Sequence, residues 1–275
     1  MLESTFRTGL LNGKTAFVAG GTSGINLGIA EAFARYGARV AVMSRKQQKV
    51  DDAVAHLAQW DEHACGYAAD VREYAAVEQA LGDFHTKVGA IDIVVSGAAG
   101  NFLAPASQLS ANAFRTVVEI DLLGTFHVMR AAYALLRKPG ASLINISAPQ
   151  STTVSFGQVH ASAAKAGVDM VTKSLAVEWG AEGVRVNAIV PGPIDDTEGM
   201  ARLAPTPAAR KAVQASCPLG KFGGIEDIAG LALFLASDAG QYMTGTVTYC
   251  DGGQVLTMAG ALSPSAVQQM LAQGA

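Results

Sequence analysis

Charge is scarce in this sequence. Only 16% of its 275 residues are Asp, Glu, Lys or Arg, against 50% that are hydrophobic. That balance excludes a disordered or solvating chain, which has too little apolar surface to collapse. The charges nearly cancel, to a formal net charge of -3, so the basic field that engages phosphate backbones is missing and nucleic acid is not an expected partner. Cysteine is also sparse: Cys65, Cys217 and Cys250 show no CxxC spacing and no nearby histidine pair. They read as buried thiols of a reducing compartment rather than metal ligands, and no metal is expected. No apolar run approaches the roughly 20 residues that span a bilayer, and MLESTFRTG has neither the basic start nor the apolar stretch of a secretory signal. A cytoplasmic protein without a membrane partner is therefore expected. Linkers, internal repeats and low-complexity segments are absent too. Residues 1–275 are read as a single domain, with the Pro-rich, irregular stretch 192–218 as a flap over a site and 260–275 as a C-terminal tail.

What is present is alternation. The run 15–19, TAFVA, is short, apolar and rich in β-formers; it ends in glycines, and 25–36 then follows with helical periodicity. The same unit recurs: strands at 39–43, 66–69, 91–96, 143–146, 184–190 and 246–250, and helices through residue 60, over 74–88, 113–136 and 161–179. Strands that are apolar throughout, not at every second residue, predict an α/β fold: a doubly wound parallel sheet of Rossmann type with helices on both faces.

The first strand opens into GGTSGINLG, residues 20–28. Glycines between a strand and a helix let backbone amides approach a pyrophosphate, and the helix N-terminus adds its positive end. After the second strand stand Ser44, Arg45 and Lys46, where an enzyme using NAD places an acidic side chain on the ribose 2′-hydroxyl. Cations and a hydroxyl suit a 2′-phosphate instead, so NADPH is the expected cofactor. The alternative is a solvated basic start to the next helix.

Residues 143–165, LINISAPQSTTVSFGQVHASAAK, read as a buried strand, a polar loop and the start of a helix carrying Lys165. Together with GGTSG, Asp70, Ala99 and Gly100 after the fourth strand, RVNAIVPGPI and the DGG ending, they make the chain resemble the short-chain dehydrogenase/reductases over nearly its whole length. Carbonyl reductases of that family place a tyrosine four residues before the lysine and a serine after the strand. Here those places hold Ala161 and Ala148, and no tyrosine lies between Tyr133 and Tyr242. A methyl group neither holds a carbonyl oxygen nor delivers a proton. Within the family, AAGNFLAP (98–105), ASAAKAGVD (161–169), LAVEWG (175–180) and PGPIDDTEGMARL (191–203) resemble the 2,4-dienoyl-CoA reductases, most of all the peroxisomal type, which also lacks that serine and tyrosine.

The resemblance implies NADPH-dependent reduction of a 2,4-dienoyl-CoA thioester to the 3-enoyl-CoA. The cofactor set it implies is Gly20, Thr22, Ser23, Gly24, Ile25, Asn26, Ser44, Arg45, Lys46, Asp70, Val71, Ala98, Lys165, Pro191, Gly192 and Ile194. Asn26 stands where the family has a third glycine. Asn101 is implied as a donor to the thioester oxygen, Lys165 as the cation beside it, and Asp121 as the partner that holds a proton-donating water with Lys165. For each there is a plainer alternative: an Asn serving loop backbone, a solvated Lys, an Asp bridging helices. His160 reads as a structural donor. Arg45, Arg72, Asn101, Phe102, Ser110 and Arg202 are implied for acyl-CoA. Helices 113–136 and 161–179 are apolar on more than one face, and the family packs such helices into a homotetramer. Two other functions stay open: a carbonyl (3-oxoacyl thioester) reductase using a displaced hydroxyl from Ser147, Ser151, Ser155 or Ser162, and a non-catalytic NADPH-binding protein.

Overall fold

Strands that are buried on both faces require helices above and below them, and the computed structural model, which describes residues 2–258, has that arrangement. In chain order it contains α1 (Leu2–Thr5), β1 (Thr15–Ala19), α2 (Gly24–Arg35), β2 (Arg39–Ser44), α3 (Gln47–Leu57), β3 (Cys65–Ala68), α4 (Tyr74–Val88), β4 (Ile93–Ser96), α5 (Ala111–Val118), α6 (Gly124–Ala132), β5 (Ser142–Ile146), α7 (Val159–Trp179), β6 (Arg185–Pro191), α8 (Glu198–Leu203), α9 (Pro207–Ala215), α10 (Ile225–Ala236), β7 (Val247–Cys250) and α11 (Gln254–Met258). The expected tail, 260–275, lies outside the described residues.

All seven strands are parallel, in the order β3-β2-β1-β4-β5-β6-β7. Side-chain alternation divides the core into two layers. Ala16, Val18, Val40, Val42, Ile93 and Val95 face a layer built with α2, α3 and α10, while Phe17, Ala19, Ala41, Met43 and Val94 face one built with α4, α6 and α7.

Three local expectations are corrected. The helix expected over 113–136 is broken: Glu119–Leu123 forms a π turn between α5 and α6. Such turns insert one residue into a helix and concentrate at functional sites. The stretch expected to be irregular contains α8 and α9, because Thr197 accepts from the Met200 amide, Thr206 accepts from the Ala209 amide, and Pro207 occupies the first turn of α9. Each device satisfies or removes an orphan amide at a helix start. Finally, α10 was not foreseen, since IEDIAGLALFLA has too little polar surface for a clear amphipathic period.

Candidate active site

The strand order reverses between β1 and β4, where chain connections leave in opposite directions and open a crevice at the C-terminal ends of the strands. A cavity of about 1120 Å³ occupies it. One wall is the turn after β1. Gly20 has φ +78, and a Cβ there would lie 2.7 Å from the Ala98 nitrogen, so only glycine allows the β1 and β4 loops to meet. Ser23 caps α2 in extended conformation without a side-chain bond to its first amides. Those amides, at Gly24, Ile25 and Asn26, belong to residues that line the cavity. Uncapped amides at a helix start, beside a backbone close approach, fit the pyrophosphate of a dinucleotide.

Of the residues expected to hold the cofactor, Gly20, Thr22, Ser23, Gly24, Ile25, Asn26, Ser44, Arg45, Asp70, Val71 and Ala98 line this cavity, with Asn101, Phe102 and Arg202 from the substrate set. Lys46 does not: it is exposed at the start of α3. Pro191, Gly192 and Ile194 are not among the lining residues; Gly192 packs against Asp251 and Ile194 bridges to Gly223. Two further residues expected for acyl-CoA are engaged elsewhere. The Ser110 hydroxyl caps α5, accepting from the Ala113 amide at 3.1 Å. Arg72 forks onto Asp70, with Nη2 to Oδ2 at 2.7 Å, and borders a separate hollow of about 290 Å³ with Glu73, Glu119 and His127. The bond from Arg72 holds the Asp70 carboxyl below the usual carboxylate range.

Beneath the cavity floor lies a buried ion pair. Lys165 on α7 is 6% exposed and Asp121, within the π turn, 1%. Lys165 Nζ stands 3.4 Å from Asp121 Oδ2 and donates to the Ile146 carbonyl at 2.9 Å. Asp121 Oδ1 accepts from the Gly100 amide at 2.7 Å, whereas Oδ2 has no hydrogen bond. The Asn101 Oδ1 atom is buried and unbonded as well. Ala148 and Ala161 close this region without a hydroxyl, Ala161 being fully covered on α7. Beside it His160, with no exposed surface, stacks on Phe102 at 4.4 Å between centroids and donates from Nε2 to the Phe102 carbonyl at 3.1 Å.

Sequence reasoning missed Lys49, Thr197 and Glu198 among the lining residues. Lys49 Nζ lies 3.9 Å from Glu198 Oε1, linking α3 to α8 across the cavity. The signal was weak: Lys49 lies in the first turn of α3, just after the Ser44–Lys46 stretch already singled out. Burial pushes the thiols of Cys65, Cys217 and Cys250 up. Among the described residues no metal-binding cluster occurs, and no helix is long and apolar enough to cross a membrane.

A family model described as enoyl-(acyl carrier protein) reductase matches residues 19–254. The peroxisomal 2,4-dienoyl-CoA reductase, (3E)-enoyl-CoA-producing, of Arabidopsis thaliana is 41% identical over 279 residues, covering 98% of this chain and 93% of the relative. Its namesake from Rattus norvegicus is 44% identical over 255 residues, covering 90% and 86%. Among solved structures, a gluconate 5-dehydrogenase from Burkholderia cenocepacia in complex with NADP and tartrate superposes with a TM-score of 0.83 at 28% identity, covering 90% of this chain and 96% of that one. Both enzymes of the first pair are named peroxisomal, which overturns the cytoplasmic location expected from the sequence. The matched motifs, the reversed parallel sheet and the buried lysine lead to one assignment: the chain belongs to the short-chain dehydrogenase/reductase family.

Proposed function

We propose that this protein reduces 2,4-dienoyl-CoA thioesters to 3-enoyl-CoA with NADPH. The observation that carries the reading is the buried Lys165–Asp121 pair, with one free carboxylate oxygen, set beside Asn101 where alanines replace the serine and tyrosine hydroxyls. When bound, NADPH supplies the hydride. The amides at Gly24 to Asn26 would hold its pyrophosphate, Arg45 its 2′-phosphate and Lys165 its nicotinamide ribose.

Reduction of a conjugated dienoyl thioester sends negative charge to the thioester oxygen, and no alkoxide forms. The Asn101 amide donates to that oxygen, and the Lys165 cation stabilises the same charge in a site of low dielectric. Asp121 Oδ2 and Lys165 hold a water that protonates the carbon next to the thioester, which leaves the double bond at position 3. Phe102 and Arg202 contact the acyl-CoA, with α8 as part of the flap over it.

The relatives' names make the peroxisome the expected compartment. Quaternary structure follows the exposed apolar residues on helices α6 and α7, namely Phe126, Val159, Met170 and Val177: a homotetramer, giving about four times the 28.3 kDa chain mass by light scattering.

Oxidation of NADPH in the presence of 2,4-hexadienoyl-CoA, run beside acetoacetyl-CoA, tests the function. Turnover of the first alone is expected. Turnover of acetoacetyl-CoA alone would transfer the assignment to a carbonyl reductase, and inertness to both would leave a dinucleotide-binding protein.

A further inference from the structure

The turn after β1 departs from the family's glycine pattern at Asn26, and the structure gives that departure a geometry. Asn26 is the third residue of α2, outside the left-handed region of the backbone, so its side chain and not a strained main chain distinguishes it. Asn26 Nδ2 donates to the Gly97 carbonyl at 2.7 Å. A carbonyl only accepts, so the amide is fixed in this orientation, and Oδ1 is left buried without a donor. A Cβ on residue 97 would fall 2.3 Å from Asn26 Oδ1 and 2.5 Å from Cγ. The amide therefore lies flat on Gly97, and the two residues are a matched pair: asparagine at 26 demands glycine at 97.

Gly97 begins the loop that presents Asn101. The Gly97 amide is also tied to the end of β1, donating to the Ala19 carbonyl at 3.0 Å, and three points further on hold the loop: the Gly100 amide on Asp121 Oδ1, the Phe102 carbonyl under His160 Nε2, and the Ala104 amide on the Gly157 carbonyl at 2.9 Å. Those last three belong to the lysine side of the site. Asn26 supplies the side-chain anchor from the dinucleotide turn, and its own residue lines the cavity. Any shift of the turn on dinucleotide binding is thus carried through a direct hydrogen bond to the start of the Asn101 loop.

We propose that Asn26 is a positioning residue that couples the dinucleotide turn to the Asn101 loop, so that dinucleotide and acyl thioester each tighten the other's binding. This inference rests on the functional reading above. Coupling of this kind is reciprocal, so it is measurable from either ligand.

The test measures 2,4-hexadienoyl-CoA binding by calorimetry with and without NADP+, which permits no turnover, and hydrogen exchange over residues 97–104 in the same states. In the unmutated protein NADP+ is expected to tighten acyl-CoA binding roughly tenfold and to slow exchange in the loop. Asn26→Asp keeps the shape but loses the donor, and Asn26→Leu keeps the volume but loses the bond. Both are expected to bring the ratio toward unity and to leave loop exchange unresponsive to NADP+. Asn26→Gly, the residue the family uses, gives the same outcome if either bulkier variant fails to fold. Equal coupling in variants and parent, or none in the parent, overturns the proposal. If 2,4-hexadienoyl-CoA does not bind in any state, the functional reading fails instead; the exchange data then decide the Asn26 link alone, and an identical response in parent and Asn26→Leu overturns it.

Discussion

Two buried carboxylates at opposite ends of the sheet are treated in opposite ways. Asp92, just before β4, is 2% exposed; it accepts from the Thr15 amide at 3.1 Å and hydroxyl at 3.2 Å, and pairs with Arg137 at 2.6 Å and Lys14 at 3.4 Å. Both its oxygens are bonded. Asp121, at the other end and 1% exposed, has one oxygen bonded to the Gly100 amide and the other with only a cation 3.4 Å away. Unbonded buried atoms of Asn26, Asn101, Ser147 and His160 gather on that same side. A fully satisfied network rigidifies, whereas an unsatisfied one stores affinity for something yet to arrive. The N-terminal edge of the sheet is built for stability and the C-terminal edge for chemistry.

Substitutions at the two ends break or sharpen that contrast. The largest effect is expected from Asp92→Ala, which strands a buried amide and two cations: about 3 kcal/mol of unfolding free energy lost in denaturant titration, with turnover per folded molecule unchanged. A matching loss of turnover would erase the distinction. Asp121→Asn keeps an acceptor for the Gly100 amide but removes the carboxylate. Turnover on the dienoyl thioester should fall roughly 10²-fold while NADPH affinity holds, because a positioned general acid is worth about that much. Lys165→Ala should damage both quantities.

At the edge of the cavity, Arg45 should make NADPH bind at least about tenfold tighter than NADH, ~1.4 kcal/mol. Arg45→Asp should reverse the order in a fluorescence titration, and equal affinities in the parent would remove the argument. The smallest effect belongs to Asp70. Its carboxyl is lowered in the folded state by Arg72, so the stabilisation is fully present above the unfolded value of about 3.9 and is lost as pH falls through the lower folded value. Arg72→Gln should cost about 1 kcal/mol or less at neutral pH, and the difference from the parent should vanish in acid. A gap that widens on acidification would contradict the pairing.

How much of this was legible follows from how local each signal is. The sheet could be read because TAFVA, RVAVMS and IVVS are apolar on both faces, and the dinucleotide turn because its glycines fall between a strand and a helix. Lys165, Asp121 and Asn101 were singled out one at a time, through family motifs. The family resemblance implied that they meet, but not the means, a π turn that no residue pattern in Glu119–Leu123 announces. Arg72 and Ser110, implied for acyl-CoA, also bond Asp70 and the start of α5, partners that the sequence does not show. The caps at Thr197 and Thr206 were readable signals, obscured by the surrounding prolines.

The π turn also sets a rule for how this chain can change length. A π turn holds one residue more than the α turn it replaces, so the sequence pattern of α6 is shifted by one residue, about 100°, from that of an unbroken helix continued from α5. Deleting any one residue of 119–123 would let the helix heal into better local geometry. The flanking halves would keep their faces, because the wide turn absorbs the extra residue locally; what would be lost is the widened turn that carries Asp121 to Lys165. The extra residue is thus spent at the site and not on the flanking faces: a shorter chain would make a more regular helix without the turn that holds Asp121.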